Sequence, residues 1–220
     1  MQLEPYDIYH IYNRGNNSQM IFFNHDNYLF FLQKIKSHIT PFADILAWCL
    51  MPNHFHLMFY VNRVEIEVLK NGSFISNNQS IVSSEGFTQS EALTNGKAKL
   101  RTLNDSIGIM LRSYSRAIQK QQSFTGSIFQ KKTKAICLTD ITGITPAWFQ
   151  AEYCTIINII DPEKEYPQIC FNYIHENPVN AHLVKKPEEW EFSSYQDYSG
   201  KRKGKLIDRE RAKEFGLKIL

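Results

Sequence analysis

The chain has 220 residues, 43% hydrophobic and 21% charged, with 25 Lys and Arg against 22 Asp and Glu. This length suits one domain with additions, and an apolar share that includes 13% aromatic residues can build a core, which excludes a mostly disordered chain. No apolar stretch approaches the roughly 20 residues of a membrane span, and a formal charge of +3 does not by itself announce a polyanionic partner. The first residues carry no basic leader before an apolar run, and Cys49, Cys137, Cys154 and Cys170 form no CxxC pair. The expectation is a cytoplasmic protein with reduced thiols and no membrane partner.

In chain order, Tyr6 to Asn13 alternates aromatic and branched residues, which predicts a strand closed by the turn chemistry of Arg14-Gly15-Asn16-Asn17. Asn24 or Asp26 caps a helix expected from about residue 27 to residue 38, where Tyr28, Phe31, Leu32, Ile35 and Ile39 recur at helical spacing. Residues 43–50 and 54–61 predict two strands of a hairpin turning at Pro52-Asn53. Residues 62–104 are polar and turn-rich, and read as an insertion with a small hairpin of its own. It divides a single domain made of residues 1–61 and 105–220. Beyond it, Ile107, Met110, Leu111, Tyr114, Ala117, Ile118 and Gln121 form one stripe of a helix ending before Ser123. A basic loop then enters a fourth strand between residues 127 and 138. Helices are expected over residues 148–160 and 168–176, the second stopped by Asn177-Pro178. This order predicts an α+β fold, a ferredoxin-like antiparallel sheet with helices packed mainly on one face.

Asn53-His54-Phe55-His56-Leu57 is the most informative run. Residues i and i+2 of a strand share a face, so His54 and His56 project side by side while Phe55 and Leu57 point the other way. Two neutral imidazoles on a rigid strand are natural ligands for a divalent metal, but they do not fill its coordination sphere. No Cys or further His stands at zinc-like spacing. From Ser106 to Thr139 there are six basic residues (Arg112, Arg116, Lys120, Lys131, Lys132, Lys134) and no acidic one. Arg112, Arg116 and Lys120 are spaced by four and form a ridge on the helix, a one-signed surface that suits phosphates. Tyr114 lies between the two arginines, where neighbouring cations and a metal-bound phosphate would favour attack by its phenol. Each feature also has a plainer reading: half-buried histidines, a solvated face, and one core tyrosine among 11.

Together these residues resemble the HUH endonuclease superfamily, in particular its single-tyrosine transposases and relatives associated with repetitive extragenic palindromes. The matching runs are Tyr12-Asn13-Arg14-Gly15-Asn16, Trp48 to Leu57 with Met-Pro-Asn-His-Phe-His at its heart, Ser113-Tyr114, and Gly126-Ser127-Ile128-Phe129-Gln130. They continue through Tyr173-Ile174-His175-Glu176-Asn177-Pro178-Val179 to Leu183-Val184, Trp190 and Ser193-Ser194-Tyr195. The resemblance implies an enzyme that cuts and rejoins single-stranded DNA flanked by hairpins. His54 and His56 would hold Mg²⁺ or Mn²⁺, and Tyr114 would form a 5′-phosphotyrosine link. Arg14, Arg112, Arg116, Lys120, Lys131, Lys132 and Lys134 would contact the DNA backbone. Such proteins occur as monomers and as homodimers in which the tyrosine helix acts in trans, so both states stay open. Relatives commonly place a polar third ligand one turn after the tyrosine, but position 118 is Ile, and the expectation falls on Gln119. The C-terminal block reads as structural. The alternatives are a non-catalytic nucleic-acid-binding module of the same fold and a hydrolase in which Tyr114 is structural.

Overall fold

The computed structural model describes residues 2–68, 99–140 and 165–219 in full, and the backbone of residues 74–75, 81–82, 149–151, 154–156 and 162–164. Strand β1 (Ile8–Arg14) leads into helix α1 (His25–His38), then β2 (Ala43–Met51) and β3 (His54–Val61). Next come β4 (Glu65–Val68), β5 (Phe74–Ile75), β6 (Ile81–Val82) and β7 (Lys99–Thr102), followed by α2 (Leu103–Gln122) and β8 (Lys134–Cys137). The order ends with β9 (Phe149–Ala151), β10 (Cys154–Ile156), α3 (Pro162–Asn180), α4 (Tyr195–Tyr198) and α5 (Arg209–Glu214). The main sheet runs β2-β3-β1-β8 with every neighbour antiparallel. Taken with α1 and α2 this is the βαββαβ arrangement of a ferredoxin-like fold.

Alternation sorts the strands into two faces. Tyr9, Ile11, Phe55, Leu57, Phe59 and Val61 pack into one core with α1 and α2. Ile8, Cys49, Met51 and Met58 belong to a second core, closed by Cys170, Phe171 and Ile174 of α3. A register shift between Ile45 and Ala47 lets Ile45 and Trp48, an odd number of residues apart, reach the same core. Two helices thus cover one face and α3 the other.

Local chemistry explains the helix ends. Asn24 Oδ1 accepts from the Asn27 amide at 3.0 Å and starts α1. Thr102 and Asp105 form a capping box at α2, and Ser123 ends that helix in the left-handed region at φ 53°. The expected stop at Asn177-Pro178 gives way to a helix that continues to Asn180. Pro178 lies in the last turn, where a missing amide donor forfeits only one ladder bond. His182, at φ 56°, then turns the chain, and the Leu183 amide donates to the Pro178 carbonyl at 3.0 Å. Over 148–160 the structure corrects the expected helix. Residues 149–151 and 154–156 pair as antiparallel strands, as aromatic and β-branched Phe149, Thr155 and Ile156 favour; the rest of that stretch lies outside the described residues.

The segment at 62–104 begins and ends as a paired ribbon, β4 against β7, with Ile66 and Val68 buried in the α1–α2 core. In the main sheet the free side of β2 is closed by the C-terminal segment. The Leu50 amide donates to the Phe192 carbonyl at 2.8 Å and the Asp208 amide to the Ile45 carbonyl at 2.8 Å.

Gly15 anchors the turn after β1: its amide donates to the Asn53 carbonyl at 2.7 Å. A Cβ here would sit 2.0 Å from the Gln19 carbonyl oxygen. Gly15→Ala is therefore expected to cost about 1–3 kcal/mol through a backbone shift, measured as a lowered urea midpoint. An unchanged midpoint would show that this close approach is absent.

Among the described residues no helix is long and apolar enough to cross a membrane. Cys49, Cys137 and Cys170 are free thiols.

Candidate active site

His54 and His56 lie on the β3 face opposite the α1–α2 core, as alternation requires. His56 is 3% exposed and His54 half-buried. Pairing with β1 sets Tyr12 opposite His56 and Arg14 opposite His54. His10, one alternate position back on β1, is 5% exposed and reaches across so that its Nε2 lies 2.9 Å from His56 Nδ1. From the other side comes α3. Asn177 Oδ1 lies 3.1 Å from His54 Nε2, and Asn177 Nδ2 lies 3.3 Å from His56 Nε2. One turn earlier on α3, the Tyr173 ring sits 5.3 Å edge-on from His56 and 6.3 Å from His10. Tyr173 remains 45% exposed.

Burial keeps these imidazoles uncharged. Desolvation lowers the His10 pKa to about 4. It also lowers His54, with Arg14 adding to the effect while the Asn177 contact opposes it. His56 falls well below the ordinary value through burial first, then His10, His54 and Arg14. Neutral imidazoles are the ligating form.

The contacts of His54 test whether a cation fits. Its Nδ1 is 2.6 Å from Asn53 Oδ1, and its Nε2 faces the amide oxygen of Asn177. A neutral imidazole has one ring proton, so it donates to only one of these oxygens and sets a lone pair against the other. A positive charge at Nε2 would remove the conflict, as would an end-for-end turn of either amide. Burial disfavours a second proton; two imidazole nitrogens and an amide oxygen are donors of the kind that would hold a divalent cation. Among the described residues no group of three or more His, Cys, Asp or Glu could hold a metal ion.

The structure separates Tyr114 from this pair. Leu103, Ile107, Met110, Tyr114 and Ile118 form the buried stripe of α2, which packs on the far face of the sheet. The Tyr114 side chain is fully buried against Phe22, Phe30, Phe31 and Phe129. Its hydroxyl donates to the Ile21 carbonyl at 2.6 Å. Desolvation, with a smaller contribution from Tyr28, holds its pKa far above the ordinary phenol value, the opposite of activation. Gln119, expected as third ligand, is on that same helix and donates to the Gly126 carbonyl instead.

The basic residues divide in the same way. Asn13 Nδ2 donates to the Gln130 carbonyl at 3.2 Å and to Thr133 Oγ1 at 2.9 Å, pinning the loop of Lys131 and Lys132 beside Arg14. Lys134 Nζ lies 5.5 Å over the Tyr12 ring on the histidine side. Arg112, Arg116 and Lys120 are exposed on α2, across the sheet from the histidines.

Sequence reasoning passed over Tyr173, Asn177 and His10. The first two carried a signal: a tyrosine followed four residues later by a polar donor, the spacing that fails at Tyr114, where position 118 is Ile. His175, between them, is 2% exposed and bonds Ser194 Oγ at 2.7 Å, tying α3 to the C-terminal segment. Burial lowers its pKa to about 3. Because the folded forms of His10 and His175 resist protonation and the unfolded chain does not, stability is complete above about pH 6.5 and falls between pH 6.5 and 4. His10 alone accounts for about 3 kcal/mol across that window. Urea midpoints at pH 7.5 and 5.0 check this, and equal midpoints would refute it.

No family model and no curated protein sequence matches the chain. Among solved structures it is similar to a REP-associated tyrosine transposase bound to a REP hairpin, with a TM-score of 0.51 and 13% identity over 94% of this chain and 92% of that one. At that identity the likeness is one of fold.

Proposed function

We propose that the protein nicks and rejoins single-stranded DNA through Tyr173, with His54, His56 and Asn177 holding Mg²⁺ or Mn²⁺. The observation that carries this reading is an exposed phenol on α3 with its ring 5.3 Å from His56, on the same helix as the amide that meets both histidines. The cation, when bound, withdraws charge from the scissile phosphate and makes phosphorus a better electrophile. Tyr173 Oη forms the new bond to phosphorus as the P–O3′ bond breaks. The phenol proton leaves to solvent, and the departing 3′ oxygen takes one up. The product is a 5′-phosphotyrosine whose bond energy is kept for rejoining when a 3′-hydroxyl attacks in reverse.

On this reading one chain supplies the whole site, and a homodimer is not needed for chemistry. Arg14, Lys131, Lys132 and Lys134 meet the phosphates of the strand entering beside the histidines. Arg112, Arg116 and Lys120 meet backbone phosphates farther along the DNA, on the other side of the sheet. Hairpin-flanked DNA is the proposed substrate class, in keeping with the REP hairpin bound by the structural neighbour.

The test is incubation with a hairpin-bearing single-stranded oligonucleotide and Mn²⁺, followed by denaturing electrophoresis. A covalent protein–DNA species that EDTA prevents supports the reading. Binding without an adduct would indicate a non-catalytic module, and cleavage without one a hydrolase.

A further inference from the structure

We propose that His10 is a positioning residue for the cation site, holding His56 in the ring tautomer that leaves Nε2 free to coordinate. This rests on the reading of His54, His56 and Asn177 as cation ligands. His10 is on β1, and its Nε2 approaches His56 Nδ1 to 2.9 Å in a buried contact. The two rings stack with centroids 5.1 Å apart and planes at 24°, and Tyr12 stacks on His10 at 4.9 Å. One proton lies between the two nitrogens, and its owner decides what His56 can do. If His56 Nδ1–H donates to His10 Nε2, the single proton of His56 is spent there and its Nε2 presents a lone pair. If His10 Nε2–H donates instead, the His56 proton moves to Nε2 and blocks coordination.

The surroundings favour the first arrangement. His56 Nε2 faces a donor, Asn177 Nδ2, at 3.3 Å, which calls for an acceptor at Nε2. His54 has the matching device, with Asn53 Oδ1 2.6 Å from its Nδ1. Each histidine therefore has an acceptor against Nδ1 and keeps Nε2 for the site, an amide oxygen serving one ring and a neutral imidazole the other. Metal-bound histidines generally donate their second ring N–H in this manner, and the partner sets ring orientation and ligand strength.

Long-range ¹H–¹⁵N spectra of the metal-free native chain, assigned with His56→Asn, read the tautomer directly. His56 is expected to carry its proton on Nδ1; a proton on Nε2 overturns the proposal. Mn²⁺ titrations of the variants then test the consequence. His10→Phe keeps a stacked ring but removes the acceptor, and should weaken Mn²⁺ binding by about ten- to a hundredfold. His10→Gln, which restores an amide oxygen, should recover most of that loss. Native-like affinity in His10→Phe, or no recovery in His10→Gln, counts against His10. If His10→Phe does not fold, the tautomer of the native chain still decides. A native chain that binds Mn²⁺ no more tightly than His54→Ala refutes the cation site itself, and this proposal with it, whichever tautomer is found.

Discussion

Tyr173→Phe is expected to abolish the covalent protein–DNA adduct, lowering its rate of formation by roughly a thousandfold or more, because it removes the one atom that bonds to phosphorus. The change deletes only the hydroxyl from a side chain that is 45% exposed, so thermal stability should move by no more than about 0.5 kcal/mol. DNA binding should persist, since Arg14, Lys131, Lys132 and Lys134 are untouched. The measurement is an adduct time course alongside a melting curve. An adduct that survives in Tyr173→Phe would place the nucleophile elsewhere and end the present reading of α3.

Tyr114 should behave in the opposite sense. Tyr114→Ala removes a fully buried ring from the core between α1, α2 and the sheet, a loss of about 3–5 kcal/mol. That is a large fraction of the roughly 5–15 kcal/mol that holds a typical domain together, so the variant should melt far below the native chain. Tyr114→Phe keeps the ring but leaves the Ile21 carbonyl without its 2.6 Å donor, at a cost of about 1–3 kcal/mol. Its adduct with hairpin DNA should form at the native rate at a temperature where both proteins are folded. Loss of the adduct in a folded Tyr114→Phe, with Tyr173→Phe active, would reverse the assignment of the two tyrosines.

The two tyrosines also mark where sequence reasoning succeeds and where it stops. Periodicity carried Tyr114 to the correct helix and even to the correct stripe, with Ile107, Met110 and Ile118. That stripe was the sign of a core position, and the flanking arginines, exposed on the other side of α2, drew attention away from it. Tyr173 and Asn177 were visible as residues four apart. The expected break at Asn177-Pro178 hid them, because it put Asn177 beyond the helix rather than on it, one turn from the tyrosine. The helix expected at 148–160 shows the same limit in a weaker setting, where β-branched residues outweighed a loose helical pattern.

The sequence by itself determined the order of the main-sheet strands β1, β2, β3 and β8 with helices α1 and α2, the hairpin at Pro52-Asn53, and the shared face of His54 and His56. These follow from local rules: side-chain alternation in strands, apolar spacing in helices, and the backbone demands of Pro, Asn and Gly. Only the tertiary structure decided which side of the sheet each helix covers. A stripe of apolar residues says that a helix packs, but not on which face, since both faces of this sheet are apolar enough to accept one. That choice sends the phenol of α2 into hydrocarbon, sets the phenol and amide of α3 against the imidazoles, and through the β1–β3 register brings His10 to His56.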